Sequence, residues 1–104
     1  MGDTNYISSI VKILEIPKYK TTKNNYVTTQ CRVQLPQIRK SKVINLIVWG
    51  KLAKDVMQYY QTNDYVLVEG FLSISSINLN LEYARKTPIF TAVKVYPFLL
   101  NSEN

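Results

Sequence analysis

Apolar and polar residues alternate with a period of two over most of this chain, and the pattern breaks into helical spacing once. Tyr6 to Ile16 reads as a strand, closed by Pro17, which fixes φ and removes a donor. Lys18 to Asn25 is basic and polar and is expected as a loop. From Tyr26 to Leu35, Val27, Thr29, Cys31, Val33 and Leu35 share one face, and Thr28, Gln30, Arg32 and Gln34 the other. That alternation predicts a half-buried strand ending at Pro36. After the basic loop Gln37 to Lys42, a third strand is expected over Val43 to Trp49, with Ile44, Leu46 and Val48 inward and Trp49 on the opposite face.

From Lys51 to Gln61, Leu52, Val56, Met57 and Tyr60 fall on one helical stripe. Thr62-Asn63-Asp64 then supplies a turn that tolerates left-handed backbone. Tyr65 to Ile74 is the fourth strand, with Val66, Val68, Leu72 and Ile74 inward and Phe71 outward. Beyond it the parity conflicts, because Ile77, Leu79, Leu81 and Tyr83 share the outward phase. Either a bulge at Ser75-Ser76 flips the register, or the strand continues and carries an apolar ridge. Ala84 to Pro88 is expected as the hairpin tip, and Ile89 to Leu99 as the fifth strand. Three strands, one short helix and two strands is the order of a five-stranded OB-fold barrel, an all-β class with its helix between the third and fourth strands. With 104 residues the chain makes one domain, 1–104, whose core spans about residues 5–99.

Composition narrows the function. An apolar content of 46% rules out a disordered chain. No apolar run nears the ~20 residues that span a bilayer, so no membrane partner is expected, and residues 1–11 carry no signal-peptide pattern. A single cysteine and no histidine leave no zinc-ligand set and no common general base. The scattered carboxylates form no acid/base pair. The reading is a non-enzyme without cofactor, metal or small-molecule substrate. Residues 12–54 hold ten Lys/Arg against the single acid Glu15, within a chain of net charge +6. That half suits a polyanion and suits equally a solvated lysine-rich surface. Usage leaning to Ile, Lys, Asn, Tyr and Phe is what an AT-rich genome produces.

Sequence-tolerant binding of single strands needs cations interleaved with exposed aromatic faces. Trp49, Lys51, Arg32, Phe71, Lys12, Lys20 and Lys42 are the candidate nucleic-acid-binding residues. Lys18, Lys23, Arg39 and Lys40 are further basic positions, and Tyr19 and Tyr26 further stacking candidates. Phe71 suits either a base or a subunit interface. Cys31, on the core face, reads as a small buried hydrophobe.

Trp49-Gly50-Lys51-Leu52-Ala53, followed by Tyr65-Val66-Leu67-Val68-Glu69-Gly70-Phe71-Leu72, resembles the middle of the bacterial-type single-stranded DNA-binding (SSB) family. The likeness is to its aromatic-Gly-Lys-Leu-Ala segment and its Val-x-Val-x-Gly-x-Leu strand. Cys31-Arg32-Val33-Gln34-Leu35 resembles the family's Ala-Arg-Phe-Ser-Leu-type strand. The resemblance implies an OB-fold that binds single-stranded DNA in replication, repair or recombination. It implies that Trp49 stacks on a base, that Lys51 contacts DNA, that Arg32 lies on the ligand side, and that the chain forms a homodimer or homotetramer. It does not separate DNA from RNA. Short, tail-less members of this kind are similar to those encoded in red-algal plastids and cyanobacteria, which implies a plastid (chloroplast) location or otherwise the bacterial cytoplasm. The chain departs from the family pattern in the loop Gln37 to Lys42, at Ser73, Ser75 and Ile77, and in lacking an acidic C-terminal tail. Those departures leave open an OB-fold adaptor or protein-interaction subunit that has lost nucleic-acid binding.

Overall fold

The alternating segments hydrogen-bond in sequence and then close on themselves. The computed structural model describes residues 4–36, 42–79 and 83–101. Its elements are β1 (Thr4–Ile13), β2 (Lys18–Thr21), β3 (Val27–Leu35), β4 (Lys42–Trp49), α1 (Gly50–Tyr59), β5 (Tyr65–Leu79) and β6 (Tyr83–Leu99). The sheet runs β1-β5-β6-β4-β3-β2, and β1 also pairs with β3. Five strands therefore form a closed barrel, with β2 outside it and paired, among the described residues, only with β3. This is the OB-fold architecture, its helix between the third and fourth barrel strands.

The inward residues make a continuous core of Val11, Ile13, Cys31, Val33, Ile44, Leu46, Val48, Val66, Val68, Phe90 and Ala92, with Ala53 and Val56 of α1 plugging one end. The helix is anchored by the Thr29 hydroxyl, which donates to the Ala53 carbonyl oxygen at 2.8 Å. The expected stripe is turned slightly: Ala53 and Val56 are buried, whereas Met57 is 43% exposed. Gly50 begins the helix at φ +67°, the left-handed backbone that lets the chain swing from β4 into α1. Asn63 takes φ +75° in the turn before β5, as its side chain allows. Asp64, which follows it, is buried, and its carboxylate accepts from the backbone N–H groups of Gln61 at 2.8 Å and Asn101 at 2.6 Å.

Three expectations change, and the choice left open at Ser75-Ser76 is decided. Lys18–Thr21, expected as loop, is a strand because Lys18, Tyr19, Lys20 and Thr21 pair with Gln30, Thr29, Thr28 and Val27. The first strand stops at Ile13, not Ile16. Beyond it the Leu14 N–H donates to the Arg32 carbonyl and the chain peels off the ladder. Pairing of β5 with β6 runs unbroken from Ser73↔Ile89 to Leu79↔Tyr83, so Ser75-Ser76 is no bulge and the strand continues. For the same reason Ala84 to Pro88 is strand and not the hairpin tip. Pro88 sits one residue before the β4 pairing of β6 begins, where a missing donor breaks no bond to that neighbour. Of the apolar series, Ile77, Leu79 and Tyr83 lie on this two-stranded arm, and Leu81 lies outside the described residues.

The irregularities fall instead near the barrel. Glu69 pairs with Lys94 and Gly70 with Ala92, which leaves Val93 unpaired; Tyr65 pairs with Leu99 and Val66 with Pro97, which leaves Phe98 unpaired. Each extra residue resets the alternation of β6, so that Phe90 and Ala92 point inward and then Val95 packs on the core. At the first bulge the two backbones are close. A Cβ at Gly70 would overlap the Thr91 carbonyl oxygen and lie 2.9 Å from the Ala92 Cα. Gly70→Ala is expected to destabilise the fold by about 1–3 kcal/mol through overpacking. Urea denaturation should show a lowered midpoint with an unchanged slope; an unmoved midpoint would show that β6 yields freely there.

Candidate nucleic-acid interface

The ladder registers place outward side chains in rows across the sheet. Lys20 pairs with Thr28 and Thr28 with Trp49, so one row runs Lys20, Thr28, Trp49 over β2, β3 and β4. The indole is 46% exposed and packs edge-on against the Tyr26 ring, with centroids 6.4 Å apart and planes at 76°. Tyr26 is carried there by the β2–β3 turn. In that turn the Thr22 N–H donates to the Tyr26 carbonyl, the Tyr26 N–H donates to the Thr22 hydroxyl, and Asn25 takes φ +67°. Lys51, one residue into α1, completes the group. Thr28 lies beneath it, and its buried hydroxyl has no hydrogen-bond partner among the described residues. The cluster thus offers two adjacent aromatic rings with a cation on either side.

Trp49, Lys20 and Lys51 are brought together; the other candidate residues are not. Arg32 points outward from β3 but is held by Glu15. The Arg32 backbone N–H donates to Glu15 Oε2 at 2.9 Å, and its Nε–H to Oε1 at 3.3 Å. Lys42 starts β4, seven residues from Trp49, or about 23 Å along an extended strand. Lys12 sits at the far end of β3, opposite Gln34 and Tyr65, with its Nζ 5.9 Å from the Tyr65 ring centroid. Phe71 is two strands from β4, reached through Ile47↔Thr91 and Thr91↔Phe71, and packs edge-on against Tyr6 at 5.0 Å. Tyr19 shares parity with Thr29, on the opposite side of the ribbon from Lys20. Lys23 is exposed in the β2–β3 turn, and Arg39 and Lys40 lie outside the described residues.

Sequence reasoning missed Glu15 as the partner of Arg32 and Lys54 as a neighbour of the aromatic pair. The second was legible in principle, since Lys51, Lys54, Asp55 and Gln58 recur at i, i+3, i+4 and i+7 as a polar stripe. Cys31 is buried, and that burial pushes its thiol up to about 12, so it packs and does not react.

An OB-fold barrel bearing exposed aromatics and lysines on its outer face defines a class of protein built like the single-strand binders. No protein-family model matches the chain. Two curated proteins are similar to it, both called "Putative single-stranded DNA-binding protein ycf41". That of Trieres chinensis is 38% identical over 107 residues, covering 94% of this chain and 92% of the relative. That of Porphyra purpurea is 24% identical over 97 residues, covering 90% and 86%. Among solved structures, the SSB domain of a Synechococcus protein superposes with a TM-score of 0.72 at 24% identity, covering 88% of this chain and 93% of that one. The small single-stranded DNA-binding protein of Streptomyces coelicolor superposes at 0.71 with 15% identity, covering 92% and 95%. The chain belongs to the ycf41 family of SSB-like proteins.

The Glu15 carboxyl is held below its ordinary value, first by the Arg32 backbone N–H and then by the guanidinium. A depressed carboxyl contributes stability that is complete above its unfolded value, near 4.3, and is lost as pH falls through the folded value. The Arg32 side chain is 60% exposed, so water and salt screen the ion pair and the backbone bond dominates. Acid titration of stability below about pH 4.5 should therefore be shallower in Glu15→Gln than in the parent. Equal slopes would show that the seam does not depend on the ionised carboxylate.

Proposed function

We propose that this chain is a non-enzymatic protein that binds single-stranded DNA at the Trp49–Tyr26 pair, with Lys20 and Lys51 contacting phosphates. The observation that carries this reading is the exposed indole held against a second ring between lysines. A base is a flat ring that stacks on indole whatever its identity, and the flanking lysines suit its phosphate. The family supports the same substrate, through relatives whose name carries single-stranded DNA binding. The process served is replication, repair or recombination. The plastid is the compartment we propose, on the AT-leaning residue usage and the ycf41 name of both relatives.

Arg32 contributes less than its position suggests, because its guanidinium is already paired with Glu15. Lys12 and Lys42 are proposed as outlying phosphate contacts for longer strands. Phe71 is assigned to assembly. It packs on Tyr6 of β1, two strand pairings from Trp49, and Tyr96 of β6 is a further exposed aromatic. Burying these rings between copies would remove them from water, and we propose a homodimer or homotetramer on this ground.

Oligo(dT) is expected to quench Trp49 fluorescence on titration at low salt, with affinity falling steeply as salt rises through counterion release. Trp49→Ala should cost ~1–3 kcal/mol of binding, the usual worth of one stacked base. An unchanged affinity would remove Trp49 from the interface. No quenching and no mobility shift, with a stable protein partner recovered instead, would favour the adaptor reading. Parallel titration with oligo(U) tests whether RNA competes. For assembly, light scattering at tens of micromolar protein should give a mass above the 12.0 kDa of one chain; a monomer would defeat the proposal.

A further inference from the structure

Between the β2–β3 turn and the polar stripe of α1 lies a cleft of about 630 Å³, lined by Asn25, Tyr26, Val27, Gly50, Lys51, Lys54, Asp55 and Gln58. Its volume is in the range of small-molecule and nucleotide sites. The helical residues in it, Lys51, Lys54, Asp55 and Gln58, occupy one face of α1. The opposite wall is the Tyr26 ring, whose other neighbour is Trp49. Gly50 leaves the floor open, with nothing within 4 Å of where a side chain would begin. The side chains of Lys51, Lys54, Asp55 and Gln58 make no hydrogen bond or ion pair with any other described residue. Two cations, one acceptor-only carboxylate and an amide thus line an open cleft together with Tyr26, without a hydrogen bond to another described residue.

Resting on the single-strand reading above, we propose that this cleft is a base-reading subsite for the nucleotide next to the one stacked on Trp49. Lys51 and Lys54 hold the phosphate, Tyr26 takes the base on its face, and Asp55 with Gln58 reads the base edge. The chemistry of those readers sets the preference. A carboxylate accepts from an exocyclic amine, as when Asp or Glu accepts from the cytosine 4-amino group. It repels the carbonyl oxygen that uracil carries at the same position, which leaves uracil its single ring N3–H to donate against the two amino hydrogens of cytosine. Stacking alone is tolerant of sequence, so the subsite makes this chain prefer an amino-bearing base.

The test compares oligo(dC) with oligo(dU), twelve nucleotides each, by anisotropy of a 5′-labelled strand at fixed salt. The two differ at the base edge and not in backbone charge. The parent protein is expected to bind oligo(dC) at least about fivefold more tightly, the lower end of base-edge discrimination. Asp55→Ala and Gln58→Ala should each shrink that ratio while leaving Trp49 quenching at saturation intact. Lys54→Ala should weaken both strands equally and reduce the salt slope by about one. These positions are on the helix surface, and an unchanged thermal midpoint checks that each variant folds. Equal binding of the two strands by the parent, or a ratio that Asp55→Ala and Gln58→Ala leave unmoved, overturns the subsite while single-strand binding stands. Absence of binding to either strand overturns both.

Discussion

A five-stranded sheet becomes a barrel only if its first strand finds its third, and here that closure is a short seam. Only Lys12↔Gln34 and Ile13↔Val33 pair as strands. The Leu14 N–H adds one bond to the Arg32 carbonyl, and the next acceptor is not backbone at all but the Glu15 carboxylate, which receives the Arg32 N–H. A side chain thereby extends a ladder that the chain's departure toward Pro17 would otherwise end. The core residues Val11, Ile13 and Val33 flank this seam, so their burial depends on it. So does the curvature that brings the β2–β3 turn over the start of α1.

The same seam explains why charge was a poor guide to the interface. By count, Glu15 is the single acid in a basic half. In the structure it engages Arg32, and a count of charges contains no information about pairing. Lys12 and Lys42 stand out by residue type and Phe71 by outward parity, and Phe71 is indeed outward, 42% exposed. Parity, however, states which side of a strand a residue occupies and not where around the barrel that strand lies. Phe71 and Trp49 are both outward, yet two intervening strand pairings separate them. Trp49 and Lys51 adjoin at a strand-to-helix junction, and Lys20 joins them through the pairings of β3 with its two neighbours, β2 and β4.

Period-two patterning made the barrel strands legible, because one buried face forces strict alternation. It failed where alternation was broken by the partner strand. The extra residues Val93 and Phe98 shift the phase of β6 and leave β5 in step, so Ile77 and Leu79 keep the parity of Phe71 and Ser73. Lys18–Thr21 was hidden for a different reason. All four residues are exposed, so burial imposes no pattern on them, and among the described residues their strand pairing is with β3.

That last arrangement has a consequence for solubility. β2 ends the sheet order, and its outer edge presents backbone donors and acceptors to water. An unpaired edge is a template for another chain, and lysines on it are the usual deterrent, since a second copy would bring like charges together. Lys18 and Lys20 sit on this edge. A bound polyanion would neutralise the deterrent just where it covers the strand, so occupied protein stays guarded by its ligand and empty protein by its own charge. Chains stripped of both, by lysine acetylation for instance, would be the ones to stick edge to edge.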